Sequence, residues 1–196
     1  GLFMTDNSSQ YANTMIIGLV CGWFGDILMH IPSKKNMTCL YIGAAGFLVG
    51  HIFYVMAFVN GVKVFSDSYK FFTVPEFIAF LVVYIAFLLM LKPVFKFNFD
   101  SKFMQYGLYL YGIFLIGMLF KVIGFAITYF KYGAENNLIS MILLIVAGIS
   151  FFTSDLTLGI RLLGGRKDSK FIKSLSLYTY FFAQLLLSTS ILLIKV

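Results

Sequence analysis

Six apolar runs, each about as long as a bilayer is thick, constrain this chain more than any other feature. A helix crossing the hydrocarbon core needs roughly 20 mostly apolar residues. Such runs fall at 14–31, 38–60, 73–92, 103–130, 137–163 and 171–194. Short polar connections join them, marked by Pro32-Ser33-Lys34-Lys35, Asn60-Gly61, Lys92-Pro93, Lys131-Tyr132-Gly133 and Gly164-Gly165-Arg166-Lys167. None is long enough to hold a soluble domain. Barrel strands alternate polar and apolar residues over about ten positions, and these runs do not alternate. The expected fold is an all-α polytopic membrane protein, a bundle of six transmembrane helices forming one domain over 1–196. Residues 1–13 are polar and expected to fray.

Composition agrees. Only 12% of residues are charged and 60% are hydrophobic, against about 25% charged in soluble domains. Two cysteines exclude a disulfide scaffold. The formal charge of +7 raises the question of nucleic acid, but a nucleic-acid binder gathers its basic residues on one exposed face. Here they punctuate apolar runs, so the expected partner is the lipid bilayer and not nucleic acid.

The basic residues also set an orientation, because cytoplasmic connections are enriched in Lys and Arg. Lys34, Lys35, Lys92, Lys96, Lys102, Arg161, Arg166, Lys167, Lys170 and Lys173 lie at one end of the bundle; Lys63, Lys70, Lys131 and Lys195 lie at the other. The first end is assigned to the cytoplasm, in a bacterial inner membrane or the endoplasmic reticulum. Lys121, late in the fourth span, is expected to snorkel toward the opposite interface. Glu76, just after Thr73 and Pro75, reads as an acidic residue favoured at a helix N-terminus.

Ionisable residues inside a span are costly and usually face a bundle interior or a water-filled cavity. Asp26, His51 and Asp155 stand out, with Gln184 as a neutral companion. From the helix rise, Asp26 and Asp155 lie roughly 8–12 Å from the cytoplasmic ends of their spans, and His51 and Gln184 roughly 15–20 Å from theirs. All four are therefore expected to line one cavity open to the cytoplasmic side. Two desolvated carboxylates close together would share a proton, one serving as acid and the other as base. A metal site would need Asp26, His30, His51 and Asp155, and with only two histidines a three-histidine zinc site is excluded; no metal and no cofactor are expected. Ser150, Thr153, Ser154, Tyr178 and Tyr180 either line the cavity or, for the hydroxyls of Ser and Thr, bond their own helix backbone. Gly18, Gly22 and Gly25, like Gly43, Gly46 and Gly50, recur at helical spacing and read as close-packing positions.

An internal echo ties the first and fifth spans. Ile16-Ile17-Gly18 to Gly25-Asp26 and Ile31 repeats as Ile145-Val146-Ala147 to Ser154-Asp155 and Ile160 at a constant offset. Each copy is followed by a span with a mid-depth polar group, His51 or Gln184, as a parallel repeat would give.

Four stretches then carry a resemblance: Gly18-Leu19-Val20 to Gly25-Asp26-Ile27-Leu28, Gly46-Phe47-Leu48 to His51-Ile52-Phe53-Tyr54, Phe152-Thr153-Ser154-Asp155, and Tyr178-Thr179-Tyr180 to Gln184. In order and spacing the chain resembles the lysoplasmalogenase family of YhhN-like membrane proteins over nearly its whole length. Members of that family usually have about eight spans where this chain shows six, so the resemblance implies that two N-terminal spans are absent. It also implies a hydrolase that cleaves the vinyl ether bond of lysoplasmalogens, with a lysophospholipid and water as partners. On that reading Asp26 and Asp155 are the acid–base pair and His51 orients one of them or the water. Gln184 and Tyr180, with Tyr54 and Ser154, contact substrate or water. Two other classes stay open on the residues themselves: a small proton-coupled transporter using the same carboxylates, and a structural lipid-binding protein whose carboxylates are paired for packing.

Overall fold

The computed structural model describes residues 7–29, 37–66, 70–99, 101–133, 137–164 and 169–194. Six helices follow one another: α1 (Asn7–Met29), α2 (Met37–Lys63), α3 (Val74–Met90), α4 (Lys102–Tyr132), α5 (Asn137–Leu163) and α6 (Lys170–Leu193). All but α3 are long and apolar enough to cross a membrane. Large apolar side chains cover their outer faces, among them Val74, Phe171 and Leu192, each more than 70% exposed. In water such a surface would be untenable; in hydrocarbon it is the solvated face. The chain is an integral membrane protein.

Two boundaries differ from the sequence reading. Helix α1 begins at Asn7, not near residue 14. Tyr11, expected in a frayed segment, is fully buried, its hydroxyl 2.7 Å from Ser190 Oγ and its ring 5.3 Å from that of Phe125. An aromatic ring that docks between two other helices holds the first turns in place although the segment is polar. At the other extreme, α3 has 17 residues, about 25 Å at the helix rise. Its start is fixed by a capping box in which Thr73 Oγ1 accepts from the Glu76 amide and Glu76 returns to the Thr73 amide, with Pro75 in the first turn.

The helices pair unequally. α1 lies along α2 and α5 along α6 in the two most extensive interfaces. α4 packs on α5 and α2, and α3 touches α4 alone among the helices. The α1–α2 seam is made by the small residues singled out in the sequence. A methyl group at Gly25 would sit 3.0 Å from the Gly43 carbonyl oxygen, and one at Gly50 would sit 3.2 Å from the Gly18 carbonyl oxygen. Backbones this close leave no space for side chains, so the glycines are packing positions, as their spacing suggested.

The echo between hairpins is visible in their register. Within α1–α2, Gly25 meets Phe47, its missing methyl 3.1 Å from the ring. At the same sequence offset in α5–α6, Ser154 meets Ser176, each hydroxyl donating to the other's carbonyl at 3.0 and 3.1 Å. The two hairpins cross in the same register with different fillings.

Candidate functional site

The polar residues of the spans gather at one level of the bundle. His51 is 1% exposed and Asp155 7%. His51 Nδ1 lies 2.7 Å from the Phe47 carbonyl oxygen, one turn back on α2. A carbonyl can only accept, so Nδ1 carries a proton and donates it. Nε2 then faces Asp155 Oδ2 at 3.2 Å, within ion-pair range but off the line of a good hydrogen bond. The imidazole and the carboxyl are close enough to pass a proton between them.

Two further groups complete the surroundings of Asp155. The Tyr111 hydroxyl, on α4, donates to the same Oδ2. The rings of Tyr111 and Phe151 stand edge-on to the imidazole, with centroids 5.3 and 5.1 Å away. These aromatic walls fix the ring orientation. Tyr111 was not singled out in the sequence, where it is one of twelve tyrosines in an aromatic-rich run. Nothing in its spacing marks it; only the rotation of α4 against α5 does.

Asp26, half-buried on α1, is hydrogen-bonded to Tyr180 of α6. The offset that separates Asp26 from Asp155 also separates His51 from Tyr180. Each hairpin's carboxylate is therefore met by the equivalent position on the other hairpin's second helix: His51 on Asp155, Tyr180 on Asp26. The sequence reading paired His51 with Gln184 as repeat equivalents; the contacts pair it with Tyr180.

Tyr54 and Gln184 bridge the two halves. Tyr54 donates to Gln184 Oε1 at 3.1 Å, and Tyr54 and Tyr180 each lie within electrostatic reach of both carboxylates. The Gln184 amide nitrogen is buried without a hydrogen-bond acceptor. It points at Gly22, where a methyl group would lie 3.1 Å from that nitrogen and 3.3 Å from the Tyr180 hydroxyl. Gly22 thus opens a small polar niche between α1 and α6. The orphaned amide is suited to an oxygen acceptor, since an unsatisfied buried donor costs about 1–3 kcal/mol.

The remaining candidates are placed as follows. Ser154 spends its hydroxyl proton on the α5–α6 clasp described above. Thr153 bonds the Ile149 carbonyl of its own helix, and Tyr178 is 74% exposed on the outer face. Lys121 does not snorkel. It is 4% exposed, its ammonium 2.6 Å from Glu76 Oε1, bonded to the Phe71 carbonyl and over the Phe71 and Phe72 rings. The first turn of α3 brings a counter-ion to Lys121, so the side chain need not reach the interface. Glu76 accordingly serves both the capping box and this ion pair. His30, Lys34, Lys35, Arg166, Lys167 and Lys195 lie outside the described residues. Among the described residues, no three His, Cys, Asp or Glu side chains converge in a way that could hold a metal ion.

No curated protein and no solved structure matches this sequence. A family comparison does: the YhhN family covers residues 1–191, a range that includes α1 to α5, all but the last two residues of α6, and every residue of the polar cluster. This chain belongs to the YhhN family.

Proposed function

We propose that this protein hydrolyses the vinyl ether bond of lysoplasmalogen-type lysophospholipids. The YhhN family includes lysoplasmalogenases, and the observation that carries the reading here is the buried Asp155–His51 contact at 3.2 Å beside the Tyr111 and Phe151 rings. Vinyl ether cleavage begins with protonation of the alkenyl carbon remote from oxygen, which makes an oxocarbenium ion. Asp155, supplied through His51, is the acid for that step. Asp26 is the carboxylate that faces the developing cation and takes a proton from the attacking water. The water adds to the carbon bearing oxygen, giving a hemiacetal. Its collapse restores both groups: Asp155 takes the hemiacetal hydroxyl proton, Asp26 gives its proton to the departing glycerol oxygen, and the products are a fatty aldehyde and a glycerophospho-headgroup. Gln184 and Tyr54 position the water or the ether oxygen. The two-carboxylate logic is that of glycoside hydrolysis, transferred only as chemistry. By the distribution of basic residues, the site lies in the cytoplasmic half of the membrane.

The test is aldehyde release from a lysoplasmalogen by the purified protein, beside Asp155→Asn and Asp26→Asn. Release by the parent and its loss in both folded variants support the reading; a folded parent that releases none overturns it. The paired hairpins favour one second reading, a proton-coupled carrier in which they rock against each other. Substrate-dependent proton flux into sealed vesicles, with the substrate recovered intact, would select that reading instead.

A further inference from the structure

A second polar feature lies well away from this cluster. On α4, Lys121 is ten residues beyond Tyr111, roughly 15 Å along the axis. There α2, α4 and the start of α3 enclose a cavity of about 440 Å³. Its shape follows from the fold. α2 and α4 run side by side to their ends, where Phe65 meets Tyr129 and Tyr132. α3 instead begins level with Lys121, which binds Glu76 of its first turn. Glu76 at the start of α3 therefore lies deep beside α4 while α2 and α4 continue past it, and a wedge is left between them.

The lining of the wedge is amphipathic. Phe58, Phe65 and Phe125 form an apolar wall, while Lys70, Lys121 and Glu76 supply charge, two ammonium groups to one carboxylate among the described residues. Gly124 sits in the wall, and a methyl group there would meet nothing within 4 Å. The volume falls within the range of small-molecule sites, roughly 300–1,000 Å³. An ionisable group buried at membrane depth usually marks a ligand pathway or a partnered site. Here Glu76 pairs with Lys121, and Lys70 adds a second ammonium group among the described lining residues.

We propose that this wedge is a second binding site that takes the anionic head of a single-chain amphiphile, a carboxylate or a phosphate. The head lies between Lys70 and Lys121 and the tail runs along the phenylalanine wall. The site is separate from the Asp155 cluster and does not depend on the hydrolase reading.

The experiment titrates the purified full chain in a neutral detergent with oleate, with lysophosphatidylglycerol and with zwitterionic lysophosphatidylcholine, and reads the thermal midpoint. Saturable stabilisation by an anionic amphiphile, absent with lysophosphatidylcholine, is the expected result; which of the two acts identifies the head as carboxylate or phosphate. Gly124→Leu puts a side chain into the wedge at a position where its Cβ meets nothing within 4 Å, and it should raise the half-saturating concentration about tenfold or more, as should Lys70→Gln. Aldehyde release should be unchanged in both. Lys70 is exposed, so its variant tests the site even if Gly124→Leu does not fold. Equal stabilisation by all three amphiphiles, no saturable effect, or an effect that survives both substitutions overturns the proposal; the last would place the ligand at the Asp155 cluster.

Discussion

The α1–α2 and α5–α6 hairpins share a register, and each offers a carboxylate to the other, yet they are not chemically equivalent. Asp26 is half-buried and meets a tyrosine. Asp155 is buried and meets a histidine, with a second tyrosine on the same oxygen. The extra partner comes from α4, which packs on α5 and α2. An inserted helix on one side thus breaks what would otherwise be a two-fold arrangement. Two identical carboxylates would have no reason to divide the roles of acid and base; unequal surroundings provide one.

Breaking the arrangement at its centre should have the largest effect. Asp155→Asn should lower aldehyde release by about 100- to 10,000-fold, the range for loss of a positioned acid or base, and Asp26→Asn by a similar factor. A loss in Asp155→Asn alone would mean that the hairpins differ more deeply than proposed. Exchanging the two equivalent partners, His51→Tyr with Tyr180→His, sharpens the comparison: if the imidazole defines the acid, the exchanged protein should work only through Asp26 as acid. Tyr111 of α4 then stays on the wrong carboxylate, and turnover well below the parent is expected in steady-state assays.

Tyr111→Phe should cost less, about 10-fold in rate, as for one hydrogen bond to a charged or proton-sharing group. The thermal midpoint should barely move, because the ring against His51 remains. The smallest effects compare the fillings at equivalent crossing positions. Gly25→Ala drives a methyl into the Gly43 carbonyl and the Phe47 ring and should destabilise by about 1–3 kcal/mol. Ser154→Ala removes one arm of the serine clasp and should cost about 0.6 kcal/mol, typical of a hydrogen bond between membrane helices. Thermal unfolding in detergent ranks the two, and a larger loss from Ser154→Ala would show that the clasp, not backbone proximity, holds its hairpin.

Much of this was legible in the sequence because membrane energetics write it there. Apolar runs gave six helices, and Asp26, His51 and Asp155 were conspicuous because ionisable groups are expensive at that depth. Depth could be estimated from helix rise; rotation could not. That is why Tyr111 went unnoticed among similar aromatics and why Ser154, a neighbour of Asp155 in sequence, was expected at the site although its hydroxyl turns to α6. Lys121 shows the same limit from the other side. Its position near a helix end suggests snorkelling, and nothing local reveals that the first turn of α3 brings Glu76 beside it.

The brevity of α3 carries one more consequence. At about 25 Å it falls short of a hydrocarbon core of roughly 30 Å, while α4 beside it has 31 residues. A span shorter than its bilayer is accommodated by thinning the lipid next to it, by the reach of flanking side chains or by association with another helix. The α3 flank is therefore where a mismatch with the bilayer falls, and α4 beside it carries none.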